Sequence, residues 1–153
     1  MLSLLFVSNM SFADDGDRKI RFSGNLNDNS SQRLSVKELE KHFTLIEIKA
    51  YNPWEKHTAE YTGILLDELI TKIAKPNVQS ISLKAIDDYQ VEIKKELWES
   101  NRILLVTKQD GEYLSVAKKG PMRVIFPDYD ASKKEHEMNL PLWLWMITKI
   151  EFN

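Results

Sequence analysis

Hydrophobic and polar positions change period several times along the chain, and each change predicts an element. Residues 19–23, KIRFS, set Ile20 and Phe22 between polar neighbours, the two-residue period of a short strand. The next stretch, GNLNDNSSQR (24–33), is rich in Asn, Ser and Asp and predicts an exposed loop. A helix then starts at LSVKELEKHF. Ser35 is placed to cap free backbone N–H groups, Glu38 completes a capping box three residues later, and Leu34 can staple onto Leu39. TLIEIKAY (44–51) alternates as a strand does. In GILLDELITKIAK (63–75), Ile64, Leu65, Leu69 and Ile73, with Leu66 and Ile70 alongside, recur at three- and four-residue spacing. That predicts a core-packed helix between Gly63 and Pro76.

From Ser80 onward strands dominate. SISLKA, YQVEI, RILLVTK, YLSVA and MRVIF are short runs rich in Ile, Val and Leu, separated by turn signals at Asp87-Asp88, Gln109-Asp110-Gly111 and Lys119-Gly120-Pro121. KKELWES predicts one helical turn, and the chain closes on an alternating strand at Thr148 to Phe152. No repeat or low-complexity tract interrupts this order. The expectation is a single α+β domain with a mixed, antiparallel-rich sheet and short helices, spanning residues 14–153.

Composition narrows the function classes. With 153 residues, 42% of them hydrophobic, the chain can bury one core, and 21 basic against 23 acidic side chains give a formal charge of −2. That balance argues against a nucleic-acid partner, which needs an excess of cations to displace counterions. The first residues run apolar from Leu2 to Met10 and reach the small-x-small site Ser11-Phe12-Ala13 before an acidic stretch. This predicts a truncated signal peptide over residues 1–13 with cleavage before Asp14, although the usual basic n-region is missing, and hence a periplasmic or secreted protein. The alternative is a buried N-terminal strand. No run approaches the length of a membrane helix. There is no cysteine, so neither a disulfide nor a thiolate nucleophile or metal ligand is available.

Candidate chemistry is sparse. The Asp87-Asp88 pair falls between two strand patterns, where Asp caps local N–H groups, and reads as a turn rather than an acid–base pair. His42, His57 and His136 form no metal-ligand spacing, and His136 is expected in a solvated loop between Glu135 and Glu137. No G-x-S-x-G elbow, phosphate-binding lysine loop or G-x-G-x-x-G turn occurs. YNPWEKH (51–57) is more informative: an Asn-Pro turn carries Trp54 just after a strand, so Trp54 either covers the core edge or walls a pocket. Trp143 and Trp145 would share one face of an extended segment and read as core.

Taken in order, Ser23-Gly24, the capped helix, YTGILLDELI, KAIDDYQVEI, DGEYL, KGPMRVIFP and WLWMITKIEF resemble the sulfite oxidase-like, molybdopterin-binding oxidoreductase domain, particularly its short secreted members. The resemblance covers nearly all of residues 14–153 and implies that fold, with Arg123 in the place of a family arginine and Gly120-Pro121 as a tight approach to a central strand. It also exposes a departure. Catalytic members hold molybdenum through a cysteine in the loop matching Lys49 to Trp54, where this chain has KAYNPW. A soft thiolate has no substitute in Tyr51 or Asn52.

The resulting expectation is an exported, non-catalytic domain that binds an unknown small ligand or a periplasmic protein, such as a membrane sensor. Its pocket would comprise Tyr51, Asn52, Trp54, His57, Tyr89 and Arg123, with no metal and no cofactor. The alternative is a small molybdopterin-dependent oxidoreductase with the metal held by the pterin alone and Arg123 and Lys119 contacting the anionic cofactor or substrate. A third reading is a protein-interaction domain anchored by Trp54.

Overall fold

The computed structural model describes residues 14–153, so the leader expected at residues 1–13 lies outside the described part. Its elements are Lys19–Gly24 (β1), Gln32–Ser35 (β2), Val36–Glu40 (α1), Ile46–Asn52 (β3), His57–Leu65 (β4), Leu66–Ile73 (α2), Ser80–Ala85 (β5), Gln90–Lys94 (β6), Lys95–Ser100 (α3), Leu104–Gln109 (β7), Glu112–Tyr113 (β8), Arg123–Ile125 (β9), Lys134–Met138 (α4) and Ile147–Phe152 (β10). One sheet runs β2-β1-β10-β5-β6, with β1 and β10 parallel and its other pairs antiparallel. The other runs β3-β4-β7-β8, with β9 also paired to β7, and is antiparallel throughout. The α+β, antiparallel-rich expectation is met.

Alternation decides which side chains reach the core. In β1, Ile20 and Phe22 point in while Lys19 and Arg21 point out. Register carries this across the first sheet: Phe22 faces Ile150, Ile150 faces Leu83, and Leu83 faces Val91, a buried row over four strands. The final strand, β10, is thus central. The capping box forms as read, with Glu38 N–H donating to Ser35 Oγ (3.1 Å) and Ser35 N–H donating to Glu38 Oε2 (2.7 Å). At the other end of α1, Glu40 accepts from Thr107 Oγ1 (2.6 Å) and Tyr113 O–H (2.7 Å), tying the helix to β7 and β8. Desolvation and the adjacent Glu40 carboxylate raise the Tyr113 phenol well above its ordinary value.

Several expectations are corrected. Gly63 to Leu65 belong to β4, and the helix starts two residues later than expected, at Leu66. Ile64 pairs with Leu105 and Leu65 with Leu104 on a central strand, where a continuous apolar run has no period to separate it from a helix. Gly63 is required there, because a Cβ would lie 2.2 Å from the Leu105 carbonyl oxygen. The predicted loop 24–33 ends in β2, and YLSVA is strand only at Tyr113 before Val116–Lys118 curls into a 3₁₀ turn capped by Ser115. The region around His136 is the short helix α4 rather than a loop, and His136 Nδ1 accepts the Asp130 N–H (2.9 Å). Trp143 and Trp145 are not extended in a strand; they follow a 3₁₀ turn at Leu140–Leu142. The strand after Gly120-Pro121 is not central either, since β9 pairs with β7 alone.

Asp87-Asp88 forms a turn. Asp88 takes a positive φ of 68°, Ala85 N–H donates to the Tyr89 carbonyl (2.9 Å), and Tyr89 N–H donates to Asp87 Oδ1 (3.2 Å).

Candidate functional site

The site grows from the turn between β3 and β4. Inward and outward positions alternate along β3, so Ala50 and Asn52 face the interior while Tyr51 stands outside, 45% exposed. Buried Asn52 then organises the turn: its Oδ1 accepts N–H groups from Trp54 (3.0 Å) and Glu55 (3.3 Å), and its backbone carbonyl accepts from Lys56 (2.7 Å), which has a positive φ of 55°. The effect is to hold Trp54 outward and to direct Glu55 back under the turn.

Beneath it lies Arg123, the first residue of β9 and only 3% exposed. Its guanidinium forks onto Glu55, with Nη1 to Oε1 at 2.7 Å and Nη2 to Oε2 at 3.2 Å, and Nη2 also donates to Tyr61 Oη (3.3 Å). Lys119 Nζ reaches the same Glu55 Oε1 at 3.5 Å and sits 4.4 Å from the centre of the Trp145 ring. Gly120 makes this approach feasible, because a Cβ there would lie 1.9 Å from the Leu114 carbonyl oxygen. The hydrogen bonds from Arg123 hold the Glu55 carboxyl below the ordinary glutamate range against a desolvation penalty, while burial pushes the Tyr61 phenol up.

That depression makes the ion pair a pH-dependent contributor to stability. A carboxylate with a lowered folded-state pKa stabilises fully above its unfolded value, roughly pH 4.3, and the contribution is lost as pH falls through the folded value. Denaturant midpoints measured from neutral pH to pH 3 should therefore fall more steeply for the native chain than for Glu55→Gln. Parallel curves would show that the pair contributes nothing.

Above the ion pair the surface is aromatic. Trp54, 50% exposed, meets Trp145 edge-on at 6.1 Å between ring centres and 87° between planes. Together with Tyr89, Pro141, Trp143 and Asp87 they line a cleft of about 410 Å³. A cavity of only about 10 Å³, bounded by Asn52, Lys119 and Arg123, shares the three tryptophans with that cleft and lies between it and the ion pair. His57 lies elsewhere, 3.9 Å from Glu55 Oε2 in a separate cleft with Gln109 and Lys118.

Of the residues singled out in the sequence, Asn52, Trp54 and Arg123 therefore converge, Tyr89 joins through the cleft, His57 lies behind Glu55, and Tyr51 faces away. Sequence reasoning missed the roles of Glu55 and Tyr61. Glu55 looks like any loop charge until Arg123, 68 residues later, is folded beneath it. Trp143 and Trp145 were legible as a pair, but not as walls of a cleft.

Among the described residues no three His, Asp or Glu side chains converge as a metal site. None of the described helices is long and apolar enough to cross a membrane.

Comparison with known proteins agrees with the architecture. No curated protein matches the chain. The crystal structure of the sulfane dehydrogenase SoxCD from Paracoccus pantotrophus superposes with a TM-score of 0.65 at 14% identity, over 92% of this chain and 39% of that one. At this identity the likeness is one of fold, and the chain spans well under half the length of that structure. The profile of the oxidoreductase molybdopterin binding domain matches residues 18–135, most of the described chain, and with the sulfite oxidase-like architecture it shows that this protein belongs to that family.

Proposed function

We propose that this chain is an exported, non-catalytic member of the family that binds a small ligand in the cleft between Trp54, Tyr89 and Trp145, serving as a periplasmic accessory to a sensory partner. The observation that carries this reading is the use made of Arg123. The buried cation beneath the Trp54 turn is consumed by Glu55 of the same turn, and the open surface above it is an aromatic cleft.

A molybdenum–pterin group fits these residues poorly. The chain has no cysteine, and the buried side chain of the turn is the Asn52 amide, whose oxygen is already engaged by two backbone N–H groups. Both nearby cations, Arg123 and Lys119, face Glu55, so neither is left unopposed for an anionic cofactor. The cleft is walled largely by carbon. Fold alone supplies no chemistry once the metal ligand is absent.

The test is to produce the protein in cells that make molybdopterin and measure metal by elemental analysis and released pterin by fluorescence. Neither should be present in stoichiometric amount. One molybdenum and one pterin per chain would overturn the reading and make the protein an oxidoreductase with a cysteine-free metal site.

A further inference from the structure

The charge of the cleft differs from that of the site beneath it. Four aromatic residues, Trp54, Tyr89, Trp143 and Trp145, contribute to its lining, and the one charged side chain in that lining is the Asp87 carboxylate. Asp87 accepts the Tyr89 N–H through Oδ1. No cation is paired with it among the described residues, whereas Asp88 beside it is bound by Lys84 at 2.9 Å. Lys119, of the ion-pair site, lies against Trp145 and Glu55 and borders the small cavity rather than this cleft. Aromatic faces carry negative electrostatic potential, and a carboxylate adds to it.

The two walls also stand open. Trp54 and Tyr89 are 50% and 57% exposed, and they come from different turns, β3–β4 and β5–β6. Exposed aromatic rings facing a cleft of about 410 Å³ suit a compact organic molecule. A carboxylate head would be repelled by Asp87, and a neutral one would gain at most a hydrogen bond without the attraction between opposite charges.

We infer that the cleft binds an organic ammonium ligand, its cation lodged among the aromatic side chains and its charge opposed by Asp87. This deepens the proposed function and rests on it only in taking the cleft as the ligand site.

Three compounds of matched shape test the inference on the purified chain: choline, its neutral isostere 3,3-dimethylbutan-1-ol, and the anion 3,3-dimethylbutanoate. Binding is read by tryptophan fluorescence and calorimetry. Choline should bind about tenfold more tightly than the alcohol, and the anion most weakly. Asp87→Asn retains the oxygen that accepts the Tyr89 N–H, so it should keep the turn and the affinity for the alcohol while weakening choline several-fold. Equal or tighter binding of the alcohol or the anion would overturn the ammonium inference and leave the cleft as a ligand site. Binding of none of the three at millimolar concentration would overturn both.

Discussion

Trp143→Ala is expected to lower folding stability by about 4 kcal/mol, within the range for deleting a buried aromatic side chain. Trp143 is 4% exposed, lies 5.7 Å from Phe126 between ring centres, and meets Tyr129 edge-on at 5.9 Å. Alanine would remove the transfer energy of an indole and leave a void that these rigid neighbours cannot close. The location amplifies the effect, because the next residues lead into β10, the central strand of the first sheet. Urea unfolding measures the loss directly, and Trp143→Phe should recover a substantial part of it. A loss below about 1.5 kcal/mol would mean that the site collapses around the void and that Trp143 does not anchor the packing beneath the cleft.

Arg123→Met should cost about 3 kcal/mol, the lower end for breaking a buried ion pair. The methionine fills much of the volume, but Glu55 loses its bidentate partner and Tyr61 loses a donor. Lys119, 3.5 Å from Glu55, limits the damage by remaining as a partner for the carboxylate. The test that separates charge from packing is the double variant Glu55→Gln/Arg123→Met, which removes the orphaned carboxylate. It should be more stable than Arg123→Met by about 1 kcal/mol. A double variant no better than the single one would place the cost in packing around β9 rather than in the unpaired charge.

The two substitutions probe different links of one chain of causes. Trp143 connects packing to the cleft, since the same side chain fills the core and contributes to the cleft lining. Arg123 connects electrostatics to the turn. It holds Glu55 and thereby restrains the segment that carries Trp54. Stability and ligand affinity are therefore expected to be coupled at both positions.

Much of the fold was legible in local chemistry. The capping box at Ser35 and Glu38, the alternation of Ile20 and Phe22, and the β5–β6 turn at Asp87-Asp88 depend on residues within a few positions of one another. The same holds for the turn at Asn52-Pro53, because the N–H groups that Asn52 accepts there, from Trp54, Glu55 and Lys56, lie within four residues. The apolar pair Ile64 and Leu65 was not legible in this way. Its helical spacing and its strand pairing satisfy the same residues, and the pairing with Leu104 and Leu105, together with the contact of Gly63 against the Leu105 carbonyl, selected the strand.

From the sequence alone came the α+β class, the family resemblance, the lack of any thiolate and the importance of the Trp54 turn. Tertiary structure decided the rest of the site: that Glu55 neutralises Arg123, that Tyr51 faces away, and that Trp143 and Trp145 meet Trp54 and Tyr89 around one cleft. The physical reason is sequence separation. Capping, turn formation and alternation are local and leave a pattern in neighbouring residues, whereas an ion pair or a cleft wall joins side chains from distant strands and leaves none.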